Sequence, residues 1–531
     1  MANKTLQIRI ESILGGQSQT SHFAAPDQFR NSLGINPALT YDDSATGVGN
    51  TGSSIASGLL RPVPSTALTG TLNNQVNWMV TNPKEGNIYV YDAGGSTYTT
   101  TGSSITGLSD GGTMSSSSGN GCAYYDNYIY FAKNTDIARY GPLNGTPAFT
   151  GTYWTGTLGK TALVNTSYAG TIFPSNHVMH RHSDGILYFA DVVDNKGTIH
   201  TISTTKTTVE GDTDNGSTYN KLQFGFGLWP TAIESYGSNL VIALYEGSNA
   251  ARRQAPAKIG FWDTLSQNFN QIVFVEFPDV AINAMKNING VLYVISSDAG
   301  SIGFRLSRYI GGYTFEEVAV FESGSVPYQG AIDGRSNQIF IASSTSTPEA
   351  AACIQSFGLG KKALGSGLFN IFRSTNSASA ARMTAMVLSQ PNDQNIEDFL
   401  VAFNSGSATY GIEKQDNVAN NGQYGNAPSV WWSQMYRIGQ PFKIKKIRIP
   451  LAQAVGANMT VIPRVYVDDS TTIRTLTTIN NTNYSNSEKN IVIRPQNLTG
   501  QHNFFLELRW SGTALCTVGL PITIEYELID D

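Results

Sequence analysis

The sequence predicts an all-β protein: a seven-bladed β-propeller with an extended N-terminal arm and a C-terminal, jelly-roll-like β-sandwich. Three observations predict it. Charged residues make up 14% of the 531-residue chain, against about 25% in an ordinary soluble protein. The gap is filled by 53 Gly, 25 Tyr, 24 Phe and long Ser/Thr/Asn stretches, a composition that suits twisted strands and tight turns rather than helices. A short apolar strand recurs seven times through the middle of the chain, and the last hundred residues are dense in strand signals.

Residues 1–58 read as a strand followed by an extended arm. Leu6, Ile8 and Ile10 alternate on one face and could add to an exposed sheet edge. The polar stretch 15–58 has neither a 2.0 nor a 3.6 period. It cannot repay its own ordering entropy unaided, yet it carries isolated anchors, Phe23, Phe29, Leu33, Ile35, Leu39 and Tyr41. The expectation is that it runs over a neighbouring subunit or virion protein; the competing arrangement folds it back on its own propeller.

Residues 59–427 carry the repeat. An apolar strand follows a Gly/Asn/Asp turn in KEGN-IYVYD, YDN-YIYFAK, HSDG-ILYFAD, YGSN-LVIAL, NING-VLYVIS, GRSN-QIFIAS and, more weakly, NDQNIED-FLVAF. The central positions Tyr89, Tyr130, Tyr188, Val241, Tyr293, Phe340 and Leu400 step by 41, 58, 53, 52, 47 and 60 residues, near the period of about 40–50 of known propeller repeats. Each copy is the centre of a meander whose sheet cannot bury both faces alone, and radial packing of seven such sheets solves that. No WD dipeptide or S-x-D-x-G-x-T-W box marks a sharply defined propeller family. Two or three ordinary β-sandwiches are the alternative.

Residues 428–531 give about eight strands: SVWWSQMY, PFKIKKIRIPL, MTVIPRVYVDD, TIRTLTTI, NIVIRP, HNFFLELRW and PITIEYEL among them. In FKIKKIRI the alternation breaks at Lys445-Lys446, which calls for a β-bulge if the later isoleucines are to stay on the core face.

A net charge of −5 offers no electrostatic grip on phosphates, so no nucleic acid is expected as a partner. No apolar run approaches a membrane span and the N-terminus has no signal-peptide pattern, so synthesis in a host cytoplasm without membrane insertion is expected. Cys122, Cys353 and Cys516 are too far apart for a disulfide framework or a metal knuckle and read as small buried hydrophobes. Extracellular-looking composition without a secretion signal suits a protein released by lysis inside a virion.

The chain resembles tailed-bacteriophage virion proteins in which a β-propeller precedes a small β-sandwich. The likeness is carried by NSLGINPALTYDDS, NGCAYYDNYIYFAKNTDIARYGPLNG, LSRYIGGYTFEEVAVFE, IGQPFKIKKIRIPLAQAVGANMTVIPRVYVDD and TLTTINNTNY, and covers most of the chain. It implies a virion location in the tail (hub, nozzle or distal tip). It brings no catalytic residue, cofactor or metal with it.

Residues that could carry chemistry have plainer readings beside them. His180 and His182 share a strand face next to His177 and could bind a metal, or line a wet channel. Gly107-Leu-Ser109-Asp-Gly111 matches the nucleophile-elbow spacing but lacks the strand and helix that it needs. Glu210-Gly-Asp212-Thr-Asp214-Asn-Gly216 is a poor calcium loop, with its glycine one position early. Asp42-Asp43, Glu316-Glu317 and Asp468-Asp469 are sequence neighbours and face opposite ways on a strand. Lys443, Lys445, Lys446 and Arg448 read as a solvated strand face.

The expected function is therefore a structural tail component without enzymatic activity or cofactor. Its expected partners are other tail proteins, copies of itself in a ring-symmetric homo-oligomer, and a host-surface glycan or protein. The alternative is a carbohydrate-binding or carbohydrate-processing propeller, in which Trp229, Trp262, Trp431 and Trp432 would stack on sugar rings and acidic residues would gather across blades.

Overall fold

The structure is a computed structural model. It describes residues 5–13, 16–18, 28–35, 59–60, 62–63, 66–84, 86–110, 114, 120–164, 177–203, 222–246, 255–266, 268–298, 302–335, 338–345, 351–358, 368–374, 382–388, 399–405, 409–415, 429–468, 473–512, 514 and 516–529.

Seven four-stranded antiparallel sheets form the blades of a propeller. Six are consecutive meanders, spanning 76–107, 122–150, 179–226, 228–276, 281–325 and 332–373. In the seventh, Arg382–Leu388, Phe399–Asn404 and Tyr410–Gln415 take Ala67–Leu72 as their fourth strand, so the earliest strand of the propeller closes its last sheet. Every repeated segment read from the sequence is the second strand of a separate blade. The first strands touch one another in cyclic order, Arg382–Leu388 returning to Val76–Thr81, and so surround the axis.

Register aligns these innermost strands tier by tier. Val80, Ala123, His180, Glu234, Lys286, Asp333 and Val387 face the central residues of the seven second strands. One residue earlier stand Met79, Cys122, Met179, Ile233, Met285, Ile332 and Met386, all buried. Four of the seven are Met, whose adaptable thioether fills the irregular wedge between twisted blades. One residue earlier again the side chains are mostly small, Ala232, Ala284, Ala331, Ala385 and Gly121 among them. A Cβ on Gly121 would meet the His177 carbonyl oxygen at 1.8 Å. The tier before that is polar yet buried: Asn77, Asn120, His177, Thr231, Asn283 and Thr384. In four blades the residue here is a β-bulge, at Asn77, Thr231, Asn283 and Thr384. Their polar groups tie strands together; Thr231 Oγ1 donates to the Ile282 carbonyl of the next blade at 2.8 Å, and Ser297 Oγ donates to Asn283 Oδ1 at 2.8 Å.

In the sixth blade the equivalent stretch, Gln329–Ala331, is a 3₁₀ turn that packs against the first strands of blades five, seven and one. The Gln329 amide donates to the Met285 carbonyl and accepts from its N–H, both at 2.9 Å. Gly330 sits so close that a Cβ would lie 2.4 Å from the Asn77 carbonyl oxygen. The turn therefore fills the end of the channel at which the first strands begin.

The sandwich is built from both ends of the chain. Thr5–Ile10 is the edge strand beside Ile522–Leu528, which pairs Phe442–Pro450. Asn31–Leu33 is the edge strand beside Ser429–Trp432 in the opposing sheet, which continues through Asn503–Trp510, Val461–Val467 and Ile473–Thr475. Residues 1–58 are thus not a separate arm where they are described: the alternating Leu6, Ile8 and Ile10 find their sheet edge on the chain's own C-terminal strands. Phe29, Leu33 and Ile35 are buried, each contributing roughly 1.5–3 kcal/mol. Phe23, Leu39 and Tyr41 lie outside the described residues.

The bulge at Lys445 is present, the register shifting between Ile444 and Lys446 while Ile444, Ile447 and Ile449 all stay buried. One continuous hydrophobic cluster runs from these isoleucines and Trp431 through Phe29 and Leu60 to Phe340, Phe372 and Phe399 of blades six and seven.

Two expected outcomes follow from this packing. Gly330→Ala should lower the unfolding free energy by about 1–3 kcal/mol, because backbone rather than a movable side chain blocks the added methyl; chemical denaturation measures it, and an unchanged midpoint would refute the close packing at the channel end. Deleting Lys445 leaves F-K-I-K-I-R-I in strict alternation, so the sandwich should keep its stability within roughly 1 kcal/mol. Deleting Ile447 instead should unfold it, and equal effects of the two deletions would contradict the bulge.

Candidate functional site at the channel mouth

At the other end of the channel the first strands finish and the side chains become polar and accessible. Arg181 is exposed, and Ser235 and Asn287 are half-buried. Four neighbouring members of the central tier form a charged arc across blades three to six. His180 Nε2 lies 3.5 Å from Glu234 Oε1, and Lys286 Nζ lies 3.2 Å from Asp333 Oδ1. Asp333 Oδ2 in turn accepts from the Leu388 N–H of blade seven at 3.1 Å. The rest of that tier, Val80, Ala123 and Val387, is apolar. Attraction to Asp333 foremost, with Glu234 adding to it, raises the Lys286 pKa against the opposing effect of burial.

His180 and His182 converge on one hydroxyl, with Ser235 Oγ at 2.7 Å from His180 Nε2 and 2.8 Å from His182 Nδ1. The Ser238 carbonyl, 3.2 Å from His182 Nε2, can only accept. That assigns the His182 proton to Nε2, the Ser235 proton to the bond with Nδ1, and the remaining Ser235 lone pair to the N–H of His180. The two imidazoles thus stitch blade three to blade four through a serine. Among the described residues no group of three or more His, Cys, Asp or Glu is placed to hold a metal ion.

His177, adjacent in sequence, belongs elsewhere. Its ring lies against the Ala190 and Asn134 carbonyls at 3.0 and 3.3 Å, deep in the polar tier. Asp191 sits between His177 and His200 at 3.7 and 3.5 Å. Burial pushes the Asp191 carboxyl up, but the His200 hydrogen bond and the two imidazoles together bring it below its ordinary value.

The other sequence candidates disperse. Ser109 is exposed beyond Ile105–Gly107, the outermost strand of the first blade, and Gly111 lies outside the described residues. The loop 210–216 and the pair Asp42-Asp43 lie outside them too. Glu316 pairs with Arg308 at 2.8 Å and Glu317 with Arg305 at 3.4 Å. Asp468 accepts three backbone N–H groups, from Gln501, His502 and Asn503; its neighbour Asp469 lies outside the described residues. Lys445 and Lys446 pair across the sheet with Glu527 and Glu525 at 3.0 and 2.6 Å, and Arg448 reaches Glu525 at 3.3 Å. The hydrogen bond from Lys446 foremost lowers the Glu525 pKa.

The tryptophans correct an expectation. Trp229, Trp262 and Trp431 are buried rather than offered to a sugar. Trp229 and Trp262 donate their ring N–H groups to Asn195 Oδ1 and the Ser266 carbonyl at 3.0 and 2.8 Å, and Trp431 lies in the cluster shared with the sandwich. Trp432 is half-buried, with the Arg30 guanidinium 5.5 Å above its ring. Large aromatic area buries wherever an inter-sheet gap accepts it.

No family model matches the chain, and no curated protein matches it. Among solved structures, it is similar to "YCF48 bound to D1 peptide" with 7% identity and a TM-score of 0.41, covering 70% of this chain and 99% of that one. The computationally designed Ika8 protein gives 11% identity and a TM-score of 0.35, covering 66% and 99%. The N-terminal domain of Nup159 gives 9% and 0.34, covering 66% and 95%. The seven-bladed reading rests on the sheet order and the closed ring of first strands described above.

Burial holds the His180 pKa below 6.5, against the pull of Glu234 and with Lys286 and His182 adding to the lowering. The unfolded chain then binds more protons once pH falls through about 6.5, so the contribution of this residue is complete above that pH and is lost on acidification toward the depressed folded value. The melting temperature of the wild type should drop more between about pH 7 and pH 5 than that of His180→Gln. Parallel pH profiles would show that His180 does not contribute.

Proposed function

We propose that this chain is a structural component of a bacteriophage tail, acting in particle assembly and in attachment to the host surface. The observation that carries the reading is the hydrophobic cluster that passes unbroken from the sandwich into blades six and seven, together with strands from both chain ends in one sandwich. Propeller and sandwich thus share one hydrophobic core. The resemblance in the arm, in blades two and five and in the sandwich opening supports the same reading. So does a charge-poor composition that favours broad polar contacts over an electrostatic grip. In this reading identical copies assemble with ring symmetry and contact other tail proteins.

The test is direct. Particles purified on a density gradient from a lysate in which the chain is made should contain it at a fixed ratio to the other tail proteins, and a cryo-EM map should place seven-bladed densities around the tail axis. A chain that stays in the particle-free fraction would overturn the proposal.

A further inference from the structure

The hairpin of the fifth blade, Ile302–Gly311 with Thr314–Ser325, ends in a two-residue turn, Gly312-Tyr313, closed by the Gly311–Thr314 pair. Both central residues have positive φ, 59° each, the type I′ geometry in which the second position is ordinarily glycine. A bulky aromatic there is an outlier that costs of order 1–3 kcal/mol. Tyr313 is nevertheless held in place: its N–H donates to the Tyr309 hydroxyl at 3.1 Å, and the edge of its ring meets Phe261 with centroids 5.4 Å apart. Its side chain is 49% exposed, and the adjoining Ile310 58%.

This tip continues inward. Tyr309 packs on Tyr236 with centroids 5.1 Å apart, and Tyr236 directly follows Ser235, the residue bridging His180 and His182. A track of three tyrosines therefore leads from the hairpin tip along the seam of blades four and five to the channel mouth. Neutral polar groups border it, such as the Asn287 amide that donates to the Ser235 carbonyl at 2.8 Å. Beside the tip Arg308 and Glu316 are paired with each other at 2.8 Å, and at the mouth the arc pairs Lys286 with Asp333 at 3.2 Å.

We propose that this track binds a neutral oligosaccharide, with Tyr313 as the stacking platform for one pyranose ring. A tyrosine ring matches the apolar C–H face of a pyranose, while its hydroxyl and the bordering amides match the hydroxyl rim. A charged ligand would find the hairpin's own charges already paired, Arg308 with Glu316 and Arg305 with Glu317. A protein partner needs roughly 800 Å² with an apolar centre, far more than the isolated Tyr313 and Ile310 supply. The strain at Tyr313 is returned only in part by its ring contact with Phe261, and glycine would make the same turn without that strain. The inference gives the host-surface glycan of the proposed role a site, and its test on the isolated 531-residue chain does not depend on the tail location.

Titration calorimetry with maltohexaose, cellohexaose and chitohexaose tests it. At least one should bind at millimolar concentration or below, and Tyr313→Gly should weaken that binding about tenfold or more while melting no lower than the wild type, because the turn relaxes. Phe226→Ala, on an exposed residue of another blade, should bind as the wild type does. Absence of binding to all three sugars, undiminished binding by Tyr313→Gly, or a lower melting temperature of that variant would each overturn the proposal.

Discussion

Seven strands have to approach one axis closely enough to touch, and the rest of the molecule is arranged around that crowding. Near the axis there is no room for large side chains and no water to satisfy the polar groups left over at bulges. The four-residue pattern that opens each blade meets both demands: a polar residue tied to a neighbouring strand, a small residue at closest approach, a methionine or isoleucine filling the wedge, then a residue bordering the channel. NAMK, TAMV and TAIE in blades five, seven and four show it most plainly. Past the wedge tier charged side chains appear as a paired arc, as Asp191 is paired with two imidazoles below it. Each partner offsets the desolvation that the other would suffer alone.

Much of this was legible before any coordinates. Turn residues followed by alternating apolar and aromatic positions mark the second strand of every blade, because that strand is buried on both faces and cannot vary in character. The bulge at Lys445 could be read because one extra polar residue in a period-two pattern has a single geometric remedy. The opening pattern of the blades was also in the sequence but went unread. NAMK and TAMV look like unremarkable loop-to-strand transitions until register aligns them, and His177 and Gly330 disguise two of the seven. The channel site was half legible: the spacing of His180 and His182 put both rings on one face, but Ser235 and Glu234 lie on another blade, more than fifty residues away. The tryptophans misled because an aromatic residue near a turn reads as exposed from sequence and becomes buried when a neighbouring blade arrives.

The N-terminal segment shows the opposite limit. Its composition announces that it needs a partner, and composition says nothing about which. The described parts find that partner in their own chain, completing one edge of each sandwich sheet, and Leu60 pairs Val518 on the way into the propeller. Two closures therefore depend on it, that of the sandwich and, through Ala67–Leu72, that of the seven-bladed ring.

Those closures join strands that lie hundreds of residues apart in the sequence. Ala67–Leu72 has no partner until Tyr410–Gln415 has left the ribosome, and Thr5–Ile10 none until Ile522–Leu528 has followed. At about 5–20 residues per second the wait is on the order of tens of seconds. During that time Ala67–Leu72 and the segment before it stay unpaired. Blades one to six can form in turn during synthesis, each from contiguous residues, but the ring is sealed only after Tyr410–Gln415 is made and the sandwich only after Ile522–Leu528. A stop before Ile522 would therefore cost more than one strand: it would also leave Thr5–Ile10 without its partner.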